Sequence, residues 1–376
     1  MISIIIYSIS ILCTLLLLYL INKNEFLLSL KKRSNLNNFL LTFFAFMPLI
    51  AIFTLRENVG TDYYTYETLF YSIVGGEKSL YLIFNHYIEP GWVLLTYISS
   101  FISTNFLFFK FLISSIFFGY LTKLILHEKL NYQLLLTFLV FTVMFFPLMN
   151  ITRQILASII LIYSLKKYTE KKYIIAFSNV FIAFLIHKSA LCFGIVFLLH
   201  YLYQKNITFN IKGKKITLFK IIEWLLILSP VYIIPVISIL FVIVKMLNIE
   251  SYFIYENLNI NINYLLYTIP IIIIYKYCIN YYLKNKQITK NNHYIIYIAF
   301  LISILFQSLG SLIMAFERLS IYFFALCTYF LPTLLKDIGK IKDNDIYVLN
   351  YIYFVIYFIV MYALLNGQGC FPYKFI

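Results

Sequence analysis

ISIIIYSISILCTLLLLYLI, residues Ile2 to Ile21, decides the fold. These twenty residues carry no charge. At a helical rise of about 1.5 Å per residue they extend about 30 Å, the thickness of a bilayer's hydrocarbon core. The apolar residues run on without alternating, which rules out a barrel strand. In lipid only helices and closed barrels satisfy every backbone polar group, so the run predicts a transmembrane helix. No basic residue precedes it and no small-residue cleavage site follows, so it reads as a retained helix and not a signal peptide.

The same pattern recurs outward along the chain. Apolar runs fall at about 2–21, 39–55, 91–122, 133–149, 151–166, 173–187, 189–203, 221–244, 264–283, 293–312, 319–335 and 346–365. They predict an all-α, polytopic transmembrane bundle of about twelve spans, a single integral membrane domain over 1–376 with an external loop at 56–90. The stretch 91–122 is too long for one plain helix and reads as a half-penetrating segment followed by a full crossing. The composition, 62% apolar and 12% charged, leaves no room for a soluble domain of any size.

Charge sets the orientation. The short segments Lys23–Arg33, Lys123–Lys129, Lys166–Lys172, Lys205–Lys220, Lys284–Lys290 and Lys336–Lys342 are basic, and basic loops stay in the cytoplasm. Twelve alternating spans place all six inside and both termini outside, in a multi-pass arrangement across a bacterial cytoplasmic (inner) membrane. The net charge of +15 is thereby explained by topology, with no nucleic-acid partner implied. The five cysteines have no metal-ligand spacing, and neither a metal nor a cofactor is expected.

Four arginines occur among 30 basic residues. Three of them, Arg56, Arg153 and Arg318, fall at the external ends of predicted helices. A guanidinium offers a planar fork for phosphate or carboxylate, which lysine does not. Snorkelling to the interface is the plainer reading of each one, yet three together on the less basic side point to an anionic ligand.

Other polar residues fall on that same side. Asp62 follows Gly60-Thr61 and either caps a short helix carrying Tyr66 or serves as a surface carboxylate. Glu89 precedes a helix that Pro90 starts, where a helix dipole or a functional role would each account for it. Tyr63, Tyr64 and Tyr66 would stack on sugars or form an interfacial belt. Thr152-Arg153-Gln154 opens a helix whose positive end suits an anion. His187-Lys188-Ser189-Ala190 turns between two spans and supplies either an interfacial histidine or a base. Glu317-Arg318 with Tyr322 one turn on opens another helix, and the chain runs out through Pro372-Tyr373.

The ordered set Arg56-x-x-x-Gly60-Thr61-Asp62-Tyr63-x-x-Tyr66, Glu89-Pro90-Gly91, Arg153-Gln154-x-x-Ala157, His187-Lys188-Ser189-Ala190, Glu317-Arg318-x-x-x-Tyr322 and Pro372-Tyr373 resembles the EpsG family of exopolysaccharide and capsule membrane proteins, themselves similar to Wzy-type O-antigen polymerases. The late loop at about 246–263 is short and Asn-rich, unlike the large one of longer Wzy polymerases. The resemblance implies a GT-C-like helical membrane enzyme. Its activity would be glycosyl transfer at the outer face, polymerising undecaprenyl-diphosphate-linked oligosaccharide repeat units with inversion. Its partners would be those lipid-linked glycans, the lipid bilayer, a chain-length regulator and other polysaccharide assembly proteins. On this reading Arg153 and Arg318 bind the diphosphate, with Arg56, Gln154, Tyr66 and Tyr322 supporting substrate binding. Asp62, His187 and Glu89, in that order, are candidates for the base. The alternatives are a single-sugar glycosyltransferase using a polyprenyl-phosphate donor, a lipid-linked glycan transporter and a non-catalytic scaffold.

Overall fold

The fold is that of a computed structural model, which describes residues 2–76, 88–205, 207–211, 214–229, 232, 292–310, 318–326, 343–365 and 367–375. The expected span 264–283, most of 221–244, the second half of 319–335, the late loop 246–263 and Glu317 lie outside the described residues. The chain divides into two compact units, Met1–Leu191 with Lys342–Ile376, and Cys192–Ile341.

In the first unit the helices are α1 (Ile2–Lys23), α2 (Glu25–Arg33), α3 (Asn35–Phe44), α4 (Met47–Leu55), α5 (Tyr63–Val74), α6 (Pro90–Ile102), α7 (Phe106–Ile125), α8 (Leu130–Asn150), α9 (Thr152–Thr169) and α10 (Tyr173–Ile186). A further helix at Asp343–Phe358 continues into a π-helical stretch at Ile359–Leu364. Among the described residues three helices are long and apolar enough to cross a membrane: α1, α7 and α8. The pair α3 and α4, bent by 51°, makes a fourth if taken as one span. The other expected spans within the described residues are shorter or more charged helices, such as α9 and α10.

Large apolar side chains face outward as well as inward along these helices. On α1, Ile5, Ile9, Leu12 and Leu16 are exposed while Tyr7, Ile11 and Leu18 are buried. On α10, Ile174, Phe177 and Phe181 are exposed while Ala176 and Ala183 are buried. A helix that is apolar on every side belongs in lipid.

The stretch 91–122 is two helices. The break at Ser103–Asn105 is made by the Asn105 side chain, which accepts from Leu107 N–H at 2.8 Å and so caps a new helix. The split is into helices of 13 and 20 residues, of which the second is long and apolar enough to cross a membrane. The basic segment 23–33 contains the short amphipathic helix α2, which hydropathy alone did not indicate. α8 carries one π-helical stretch at Phe141–Phe145, which ends two residues before Pro147.

α9 and α10 form an antiparallel hairpin in which Ser164 Oγ donates to the Ala176 carbonyl at 2.8 Å. The ends that matter lie together. The end of α4, the starts of α5, α6 and α9, the end of α10 and the tail 367–375 share one end of the unit.

In the second unit, helix Gly194–Lys205 lies against Asn292–Gly310. An antiparallel hairpin pairs Thr208–Ile211 with Lys214–Thr217, a β element inside an expected polar loop. Tyr297 donates to Glu223 Oε1 at 2.7 Å within this core, and Phe306 stacks on Phe323.

Candidate active site

Glu89-Pro90-Gly91 fixes the geometry of the site. Pro90 occupies the first turn of α6, where its missing N–H costs nothing. Gly91 lies against the last turn of α10. A Cβ there would stand 2.7 Å from the Leu185 carbonyl oxygen and 2.9 Å from Leu185 Cβ. Only glycine lets the two helix ends approach this closely, and the approach brings Glu89 to His187.

Glu89 is buried, and both its oxygens are engaged. Oε2 accepts from Arg153 Nη1 at 2.5 Å. Oε1 lies 2.8 Å from His187 Nδ1 and accepts from the Lys188 backbone N–H at 3.1 Å. Burial raises the carboxyl's pKa, but the His187 hydrogen bond, the Arg153 charge and the Lys188 N–H outweigh it and hold the pKa down at about 2. An ionised carboxylate can only accept, so His187 Nδ1 carries the hydrogen of that bond. The side chain makes no cap bond to its own helix; its hydrogen-bond partners are Arg153, His187 and the Lys188 N–H.

Arg153 sits at the start of α9. Its backbone N–H faces the Tyr66 hydroxyl at 3.5 Å, and its guanidinium lies 6.0 Å from the Tyr66 ring centroid. Nε has no hydrogen-bond partner among the described residues, so the fork keeps donor capacity beyond Glu89. Tyr66 packs on Trp92 and Trp92 on Phe109, with centroids 5.6 and 5.2 Å apart, locking α5 against α6 and α7. Gln154 is buried in the core of α9.

Asp62 stands at the start of α5 as expected, but its side chain makes no capping bond. Its backbone angles, φ −95° and ψ 8°, differ from the extended conformation a capping residue adopts. The turn is held from outside instead. Asn150 Oδ1, at the end of α8, accepts from Thr61 Oγ1 at 2.5 Å and Asp62 N–H at 3.0 Å, while Asn150 Nδ2 donates to Gln368 Oε1 at 2.7 Å. Gly60, at φ +97°, passes so close to the Met149 carbonyl that a Cβ would collide with it.

The tail closes this side. Gly60 N–H donates to the Gly369 carbonyl at 3.1 Å, and Glu57 N–H to the Lys374 carbonyl at 3.0 Å. Tyr7 donates to the Cys370 carbonyl at 2.9 Å and Tyr373 to the Ile52 carbonyl at 2.7 Å.

Arg56 is buried beneath the surface, 2% exposed. Its guanidinium lies 4.0 Å from the Phe53 ring centroid, and burial lowers its pKa to about 10. Its carbonyl accepts from Lys110 Nζ at 2.6 Å, and Lys110 also reaches the Tyr63 hydroxyl at 3.3 Å. Lys110 is equally buried. Neither cation forms an ion pair among the described residues. A desolvated cation costs several kcal/mol, and a cation–π contact returns about 0.5–2 kcal/mol, so the surrounding rings offset only part of that cost.

Sequence reasoning brought Glu89, Arg153, His187 and Tyr66 to one side, and the structure brings them into contact. It missed Lys110, Asn150, Trp92 and Gln368. Lys110 did carry a signal, a lone charge inside the apolar run 91–122. Arg318 and Tyr322 belong to the second unit, Arg318 exposed at the start of helix 318–326 and Tyr322 buried. Among the described residues no group of His, Cys, Asp and Glu could hold a metal ion.

Apolar helices of spanning length, together with a clustered carboxylate, imidazole and guanidinium at one end, define a helical membrane protein with a polar site at its helix ends. The chain belongs to the EpsG family, whose family model matches residues 39–375, nearly its whole length. The family suggests a polysaccharide-polymerase-like function. No curated protein and no solved structure matches the chain.

Proposed function

We propose that the protein polymerises undecaprenyl-diphosphate-linked oligosaccharide repeat units at the outer face of the bacterial inner membrane, through a GT-C-like bundle of about twelve spans. The observation that carries this reading is the Arg153–Glu89–His187 cluster in a chain of the EpsG family.

Glu89 orients His187 and holds its hydrogen on Nδ1, which turns the Nε2 lone pair toward an acceptor hydroxyl. A carboxylate held this firmly in its ionised form is a poor base, so Glu89 serves as the orienting group. Among the candidates, the geometry favours His187 over Asp62, whose side chain makes no hydrogen bond among the described residues. The acceptor hydroxyl gives its proton to Nε2 as its oxygen bonds to the donor's anomeric carbon. The bond from that carbon to the diphosphate oxygen breaks, the anomeric centre inverts, and undecaprenyl diphosphate leaves with the electron pair. The proton then passes from His187 to water. Arg153 faces the charge growing on the leaving diphosphate with the donors Glu89 does not use.

The test is a gel of surface polysaccharide from cells lacking the gene, complemented with wild type, Arg153→Lys or His187→Ala, with membrane levels of each variant checked. Loss of the repeat ladder in the deletion and in both variants supports the reading. A ladder in the deletion strain refutes the polymerase. A normal ladder with Arg153→Lys refutes the role of the guanidinium's further donors on the diphosphate.

A further inference from the structure

Behind Tyr66 and Trp92 lies a small cavity of about 10 Å³, lined by Arg56, Lys110, Thr152 and the rings of Phe106 and Phe109 among others. That is room for a single water-sized particle. Two cations, each 2% exposed, border it. Arg56 Nε and Nη1 are buried and have no hydrogen-bond partner among the described residues. Lys110 Nζ spends donors on the Arg56 carbonyl and the Tyr63 hydroxyl, neither of which carries the counter-charge. Both cations face the Tyr63 ring, at 5.9 Å for Arg56 and 5.2 Å for Lys110.

Two buried like charges this close raise each other's cost, and aromatic faces offset it only in part. The smallest complement that carries the charge is a monatomic anion, somewhat larger than water, which the flexible Lys110 side chain can yield to admit. A phosphate or carboxylate group is too large for the space, so the diphosphate leaving group is a different ligand at a different place.

We propose that this cavity binds a halide ion, chloride in the cell, as the counter-ion of Arg56 and Lys110. The ion ties α4 to α7 beneath the turn that carries Asp62. The inference is independent of the polymerase reading, because the cavity lies behind the cluster that would do the chemistry.

The experiment measures thermal unfolding of the purified full-length protein in detergent, titrating sodium chloride against sodium gluconate at constant ionic strength. The expected result is a Tm that rises saturably with chloride and with bromide. Lys110→Met should remove that dependence and Arg153→Ala should retain it. Equal Tm values in chloride and gluconate for the wild type would overturn the site, as would an unchanged chloride dependence in Lys110→Met. Should Lys110→Met not fold, bromide-soaked crystals of the wild type decide. An anomalous peak between Arg56 and Lys110 supports the site, and no peak there overturns it.

Discussion

Glu89 Oε1 and His187 Nδ1 lie 2.8 Å apart across 98 residues of sequence, joined where the first turn of α6 meets the last turn of α10. The same carboxylate is held on its other oxygen by Arg153. Replacing Glu89 by glutamine keeps the shape but removes the charge that fixes the imidazole's hydrogen on Nδ1. Polymer formation by Glu89→Gln should fall by about 10²-fold or more, the scale of a general base's contribution. In-vitro extension of a lipid-linked repeat unit by purified protein measures it. A rate within a few-fold of wild type would show that His187 needs no orienting carboxylate.

Acid should uncouple the cluster in a defined direction. The Glu89 carboxyl has a folded pKa near 2 against an ordinary value of 4.5. A depressed carboxylate stabilises the fold fully above the ordinary value, and this contribution is lost as pH falls from about 4.5 toward 2. Wild type should therefore be more stable than Glu89→Gln at pH 7, and the gap should narrow as pH falls through that window. Tm against pH for the two proteins is the measurement. A gap that stays constant down to pH 3 would contradict the assignment.

Gly91→Ala tests the close approach that builds the site. The added methyl would press on the Leu185 backbone, which cannot yield as a side-chain tip could. An overpacked contact costs about 1–3 kcal/mol, and the helix ends must separate to relieve it. Tm should drop, and polymer formation should fall more than Tm alone accounts for. Full activity in a destabilised variant would show that Glu89 and His187 tolerate separation.

Asn150→Ala should loosen the turn at Thr61–Asp62 and the tail together, because one amide serves both. The partners are exposed or part-buried, so water takes up the freed groups and each lost bond costs about 0.5–1.5 kcal/mol. Limited proteolysis should open cleavage in 56–62 and 367–375 at once. Protection lost in only one of the two segments would show that they are not linked through Asn150.

Much of this was legible in the sequence where a local rule was enough. Pro90 and Thr152 mark helix starts, His187 marks a turn, and unbroken apolar runs mark membrane helices. What local rules do not show is which helix ends meet. Glu89 was ranked as a base because the carboxylate was visible and its three donors, 64 to 99 residues away, were not. Asp62 was placed correctly at the start of α5, yet the bond that fixes it comes from Asn150, where an asparagine at the end of an apolar run gives no periodic signal. Lys110 stood out as a charge in an apolar helix, but only three-dimensional packing sets it beside Arg56.

The tail has a consequence for the order in which the protein is made. Tyr373 reaches back 321 residues to the Ile52 carbonyl, and Cys370 takes the hydroxyl of Tyr7. A ribosome delivers residues 367–375 after every membrane helix they brace, so the turn bearing Asp62 gains this support only after all of those helices have been made. The insertion machinery must therefore hold a half-finished bundle in the bilayer, and the polar end of that bundle matures only when residues 367–375 join it.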